Sequence, residues 1–123
     1  MDTDTREDLR SRYLVALDAV GDAATQLVGA LQDGDRARVL VRDHLVDGGQ
    51  VSEIDRLIEP ESVRATVSRS IVELERARHD AQRLLFQLLY SEGQTMTDIG
   101  RMWGISRQLV SRLINEPGPD DGP

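Results

Sequence analysis

The chain contains no cysteine, which excludes disulfides, thiolate metal sites and thiol nucleophiles. It also contains no lysine, so all 15 basic residues are arginine. Arginine codons are GC-rich, and the coding bias of a high-GC bacterial genome accounts for the choice. The physical consequence stands regardless of its origin, because every cation is a planar fork suited to phosphates and guanine edges. No apolar run approaches the roughly 18 residues needed to cross a bilayer. The stretch Met1 to Asp8 is acidic where a signal peptide would be basic and then apolar. These absences lead to the expectation of a soluble cytoplasmic protein with no membrane partner.

What is present is one domain's worth of chain, 123 residues with 39% hydrophobic side chains. Its 22 acidic residues outnumber the 15 arginines and leave a formal net charge of -7. Taken whole, that charge argues against a nucleic-acid binder. Divided along the chain it does not. Residues 1–75 hold nine Arg and 16 acidic residues, whereas 76–115 hold six Arg (76, 78, 83, 101, 107 and 112) against three acids, Asp80, Glu92 and Asp98. The basic excess is confined to the C-terminal third.

Every long segment between the punctuated ends has helical spacing, and no alternating strand pattern or internal repeat is present, so the predicted fold class is all-α. Residues 1–5 and 117–123 are polar or rich in Pro and Gly and are expected to be disordered tails. From about Arg6 to Leu31 the residues Leu9, Tyr13, Ala16, Val20, Ala24, Leu27 and Leu31 form a heptad-like stripe. Asp33-Gly34-Asp35 is expected to end that helix as a turn, since it lacks the further ligands of a calcium loop. A second helix then carries Val39, Leu40, Val41, Leu45 and Val46 to Asp47-Gly48-Gly49. A short segment near Ser52 to Ile58 precedes Pro60, which suits a first helical turn. The next helix puts Val63, Val67, Ile71, Leu74, Ala81, Leu85 and Leu88 on one face and stops at Gly93.

Residues 95–115 carry the most information. Thr95 can cap a helix, with Asp98 three positions later reaching back in a capping box. That helix ends at Gly104, and Ser106 is again an N-cap residue, so a second helix starts after a Gly104-Ile105 turn. Two helices joined so tightly cross steeply in the helix-turn-helix manner. Ile99, Trp103, Ile105, Val110 and Leu113 are expected to fill the angle between them, and Gly100 to allow their close approach. At about 100° per residue, Leu109, Val110 and Leu113 share one side of the last helix. Arg107, Gln108, Ser111, Arg112 and Asn115 share the other, and Ile114 lies between. Those five side chains offer what a major groove asks for: Arg forks onto guanine, and Gln and Asn onto adenine. Thr95, Thr97, Arg101 and Ser106, beside free helix N–H groups, are phosphate candidates that position without specifying.

The constellation Ile99, Gly100, Trp103, Gly104, Ile105, Val110 and Leu113 resembles the helix-turn-helix of bacterial and phage regulators. It is most similar to the short variant of resolvases, invertases and the last region of sigma factors. Related motifs often carry alanine at the position of Gly100 and a smaller aliphatic at that of Trp103, which implies that Trp103 also packs on the upstream helices. With Ala77 to Ser91 as support, the resemblance implies a trihelical module in which Arg107 and Gln108, at the start of the recognition helix, reach deepest into the groove.

The resulting organisation is a helical region, 1–75, that dimerises, a helix-turn-helix module, 76–116, and a tail, 117–123. The resemblance says nothing of residues 1–75. Dimerisation is expected because one such module reads only half of a typical site, the alternative being that the N-terminal stripes make an intramolecular bundle core. The expected partners are double-stranded DNA and a second copy, in a nucleoid-associated regulator. The alternative is a helical adaptor whose C-terminal module contacts a protein such as the transcription machinery. No enzyme and no cofactor is expected. His44 and the His79-Asp80 pair are similar to the ligand pattern of the HD phosphohydrolases, but His44 is followed by Leu45-Val46 and His79 lies among Arg76, Arg78 and Arg83, which disfavour a divalent metal. No glycine-rich phosphate loop and no Ser-His-Asp order stands out.

Overall fold

A computed structural model describes residues 3–118. Among them every regular element is helical: α1 Thr3–Val46, a 3₁₀ turn Val51–Glu53, α2 Ile54–Leu57, α3 Pro60–Ser91, α4 Met96–Trp103 and α5 Arg107–Asn115. The all-α class and the long helices agree with the sequence reading. Pro60 is the first residue of α3, and Gly93, at φ 102°, follows its end. Residues 3–5, expected in a disordered tail, are instead the first turn of α1. Of the expected C-terminal tail, residues 119–123 lie outside the described residues, as do residues 1–2 at the other end.

The largest departure is α1. Asp33-Gly34-Asp35 does not break it, and one helix runs where two are expected. A glycine costs a helix about 1 kcal/mol relative to alanine, which local pairing and packing can outweigh. Here Asp33 pairs with Arg36, Asp35 accepts from Arg38 Nε at 2.8 Å, and a Cβ on Gly34 would lie 3.8 Å from Val63 Cγ1. Gly34 is thus half-buried, with room for a side-chain carbon.

The described residues form two compact units, 3–20 with 76–118, and 21–75. In the first, Leu9 and Ala16 of α1 form a buried cluster with Ala81, Leu84 and Leu88 of α3, and Tyr13 and Val20 pack against it. In the second, α1 buries Ala23, Ala30 and Ala37 and half-buries Leu27, Gly34 and Val41. The buried positions 9, 16, 23, 30 and 37 recur at every seventh residue, the coiled-coil period.

That period corrects two residues of the expected stripe. Spacing with an extra step of four places Ala24 and Leu31 inward, but a strict 3.5-residue repeat turns Ala23 and Ala30 inward instead, leaving Ala24 half-buried and Leu31 exposed. The same applies on α3, where Ser70 is buried and Ile71 is exposed. A second consequence concerns hydropathy. Although Asp18 and Asp22 interrupt it, α1 holds an 18-residue window long and apolar enough to cross a membrane by length and composition, and only 11% of that window is buried. The apolar stretch is therefore longer than the run lengths indicate.

Candidate nucleic-acid interface

The site is built by local rules. Thr95 has extended backbone, its Oγ1 accepts from Asp98 N–H at 3.0 Å, and Thr95 N–H donates to Asp98 Oδ2 at 3.2 Å, so the expected capping box is complete. Hydrogen bonds to its carboxyl from the Thr95 hydroxyl and from Thr95 N–H, with the nearby Arg101 cation, hold Asp98 below the ordinary carboxylate range. The helix α4 ends at Gly104, which is left-handed at φ 67°, and Ile105 N–H closes back on Gly100 carbonyl at 3.0 Å. Gly100 is required by contact rather than by backbone angle: a Cβ there would sit 2.7 Å from the Ile105 carbonyl oxygen. Ser106 then caps α5, its Oγ accepting from Leu109 N–H at 3.1 Å.

Behind the two helices lies one cluster, with Phe86 of α3, Ile99 of α4, and Val110 and Leu113 of α5 buried, and Leu89, Met96, Ile105, Leu109 and Ile114 packed around it. Ile99, Gly100, Val110 and Leu113 are buried, Ile105 is half-buried and Gly104 is exposed at the turn. Trp103 departs from expectation in its burial, being 46% exposed, but it does reach the upstream helix α3, its ring standing T-shaped to Phe86 at 5.7 Å between centroids. Phe86 fills the angle between the helices, and the indole is left at the rim. Next to it on α4, Met102 is 61% exposed.

Three contacts fasten α5 to α3. Gln87 Nε2 donates to the Ile114 carbonyl at 3.0 Å, His79 Nε2 lies 2.7 Å from Glu116 Oε2, and Ile114 itself packs inward. Below them Arg83 is buried against Asp80 at 2.7 Å. That arginine is spent inside the protein, so five of the six arginines in 76–115 remain on the surface. None of these contacts is legible in the sequence. Phe86 falls between the positions of the apolar stripe on α3, and its being the sole phenylalanine is the one available signal. His44, in the other unit, sits 3.4 Å from Glu53, and no group of three or more potential metal ligands occurs among the described residues.

The outward face of α5 carries the expected residues. Arg107, Gln108, Arg112 and Asn115 are exposed and Ser111 is half-buried. Asn115 Nδ2 donates to the Ser111 carbonyl at 2.8 Å, so that amide is folded onto its own helix. The first turn of α5 has no acidic residue. Its positive dipole end and Arg107 therefore act together on an approaching anion. Thr95, Thr97, Arg101 and Ser106 are all exposed along the two helix N-termini and the outer side of α4, although the Thr95 and Ser106 hydroxyls already serve as caps.

With an α3 support, two capped helices and a left-handed glycine turn in this order, the C-terminal module is a helix-turn-helix. Residues 81–116, the end of α3 with α4 and α5, match the model of the MarR family, which supports a DNA-binding regulator. No curated protein and no solved structure matches the chain.

Proposed function

We propose that this protein is a transcriptional regulator that binds specific double-stranded DNA in the bacterial cytoplasm, placing α5 in the major groove and acting as a homodimer. The observation that carries the reading is the two-sidedness of α5. One side is buried through Val110 and Leu113 against Phe86 and Ile99, and the other presents Arg107, Gln108, Ser111, Arg112 and Asn115. Arg107 and Gln108, at its start, read bases. Ser111, Arg112 and Asn115 extend the reading, and Thr95, Thr97, Arg101 and Ser106 set the register on phosphates. The likeness to the short helix-turn-helix of resolvases and sigma factors rests on the motif positions alone.

Selection from a random duplex library at low salt tests this. A defined half-site is expected, with Arg107→Ala relaxing one base position at a cost of about 1–3 kcal/mol. Recovery of no sequence, together with unchanged binding by Arg107→Ala, refutes it. A second reading, an adaptor that contacts a protein, draws on Met102 and Trp103, two large exposed side chains adjacent on α4. Under that reading, replacing both by Ser abolishes partner capture, whereas the α5 substitutions do not.

A further inference from the structure

The inner stripe of α1 accounts for only one of its apolar faces. A second stripe runs along the same unbroken helix through positions 14, 17, 21, 24, 28 and 31, in alternating steps of three and four. Its large members are exposed: Leu14 by 60%, Leu17 by 43%, Val28 by 51% and Leu31 by 53%. At about 100° per residue this stripe, displaced by one residue, is centred about 100° from the inner one, close to the quarter turn between the two neighbours of a helix in a four-helix bundle.

We propose that this stripe is the homodimer interface, on which α1 of a second copy lies antiparallel about a two-fold axis between positions 22 and 23. The sequence is self-complementary about that point. Leu14 faces Leu31 of the other copy, Leu17 faces Val28, and at the crossing Gly21 faces Ala24, where small side chains let the backbones approach. The next positions outward in the same register pair Arg10 with Asp35 and Glu7 with Arg38. Both outer layers bring opposite charges together, whereas a parallel pairing sets each residue against its own copy and like charge against like. From position 7 to position 38 the helix spans roughly 47 Å, and at a width of about 10 Å two such faces bury on the order of 900 Å². That is close to the lower limit of a specific interface, so micromolar association is expected rather than an obligate dimer. A bilayer is the other occupant that so apolar a stretch can take, but Asp18 and Asp22 lie within it, and charges are expelled from hydrocarbon.

This proposal rests on the homodimer part of the proposed function and not on DNA reading. The decisive experiment uses two full-length variants, Arg10→Glu and Asp35→Arg, in sedimentation equilibrium. Each alone sets two like-charge pairs across the axis and is expected to self-associate about tenfold more weakly than the parent. Mixed one to one, they restore opposite charges at both ends, and association returns to the parental level. In addition, oxidation of a mixture of Leu14→Cys and Leu31→Cys chains gives a covalent dimer of the two, which neither gives alone. A parental protein that is monomeric at micromolar concentration, cross-linking of Leu14→Cys to itself, failure of the mixture to recover, or flotation of the parent with phosphatidylcholine vesicles each overturns the proposal. A monomer that still selects a duplex through Arg107 leaves the DNA reading standing, and a dimer that selects none has the opposite meaning.

Discussion

Single residues decide how tightly the two helices of the module can approach. Gly100 faces a backbone carbonyl at a distance no Cβ tolerates, 2.7 Å. In Gly100→Ala the turn must move by a few tenths of an ångström, partly offset by alanine's preference for helix of about 1 kcal/mol. Gly100→Val adds two more carbons at the same place and is expected to lower stability by about 3 kcal/mol, the upper range for overpacking. Phe86 and Trp103 give the converse test. Fully buried Phe86 is expected to cost about 3–5 kcal/mol on change to Ala, whereas half-exposed Trp103→Leu stays below about 1.5 kcal/mol. Urea unfolding of the four variants supplies the order, and equal losses for Phe86→Ala and Trp103→Leu contradict this packing.

At the scale of elements, caps and periods differ in how legible they are. Thr95, Asp98, Gly104 and Ser106 act within three or four residues of themselves, so α4, its turn and α5 can be read from sequence alone with their bounds. The α1 helix cannot. Its continuity through Asp33-Gly34-Asp35 has no local signal, and its true face depends on whether spacing follows 3.5 or 3.6 residues, a drift of about 20° per heptad that reaches about 60° by Leu31. Phe86 escapes notice for the same reason, since it serves the C-terminal cluster and not the stripe of its own helix.

The α4 cap also makes a pH prediction. Asp98 is held below its ordinary value mainly by the hydrogen bond with the Thr95 hydroxyl, then by Thr95 N–H. A depressed carboxyl stabilises the fold above its unfolded value and loses that contribution as pH falls through the lowered folded value, so the window opens below about pH 4. Asp98→Asn is therefore expected to be less stable than the parent at pH 7, with the gap narrowing as pH falls below about 4. A urea midpoint difference that stays constant across this range excludes the ionised cap as its cause.

For the whole molecule, the net charge of -7 bears on how DNA would be bound under the proposed function. Residues 1–75 carry the acidic excess, which under the proposed function is expected to repel a duplex that the basic residues of 76–115 attract. With Arg83 committed to Asp80, few cations are left for phosphates. Under the proposed function, affinity for unrelated DNA is therefore expected to be low and the salt dependence of binding shallow. Arg101 and Arg107 separate the two kinds of contact. Under the proposed function Arg101, exposed on the outer side of α4, holds a phosphate, so Arg101→Ala is expected to weaken binding to all duplexes alike and to reduce the slope of log K against log salt by about 0.9 per protomer. Arg107→Ala is expected to narrow the gap between the selected duplex and a scrambled one. Titrations of both variants on both duplexes at several salt concentrations distinguish them. If Arg101→Ala alters sequence preference, or Arg107→Ala lowers affinity equally for every duplex, the division between positioning and reading residues drawn along α4 and α5 is wrong.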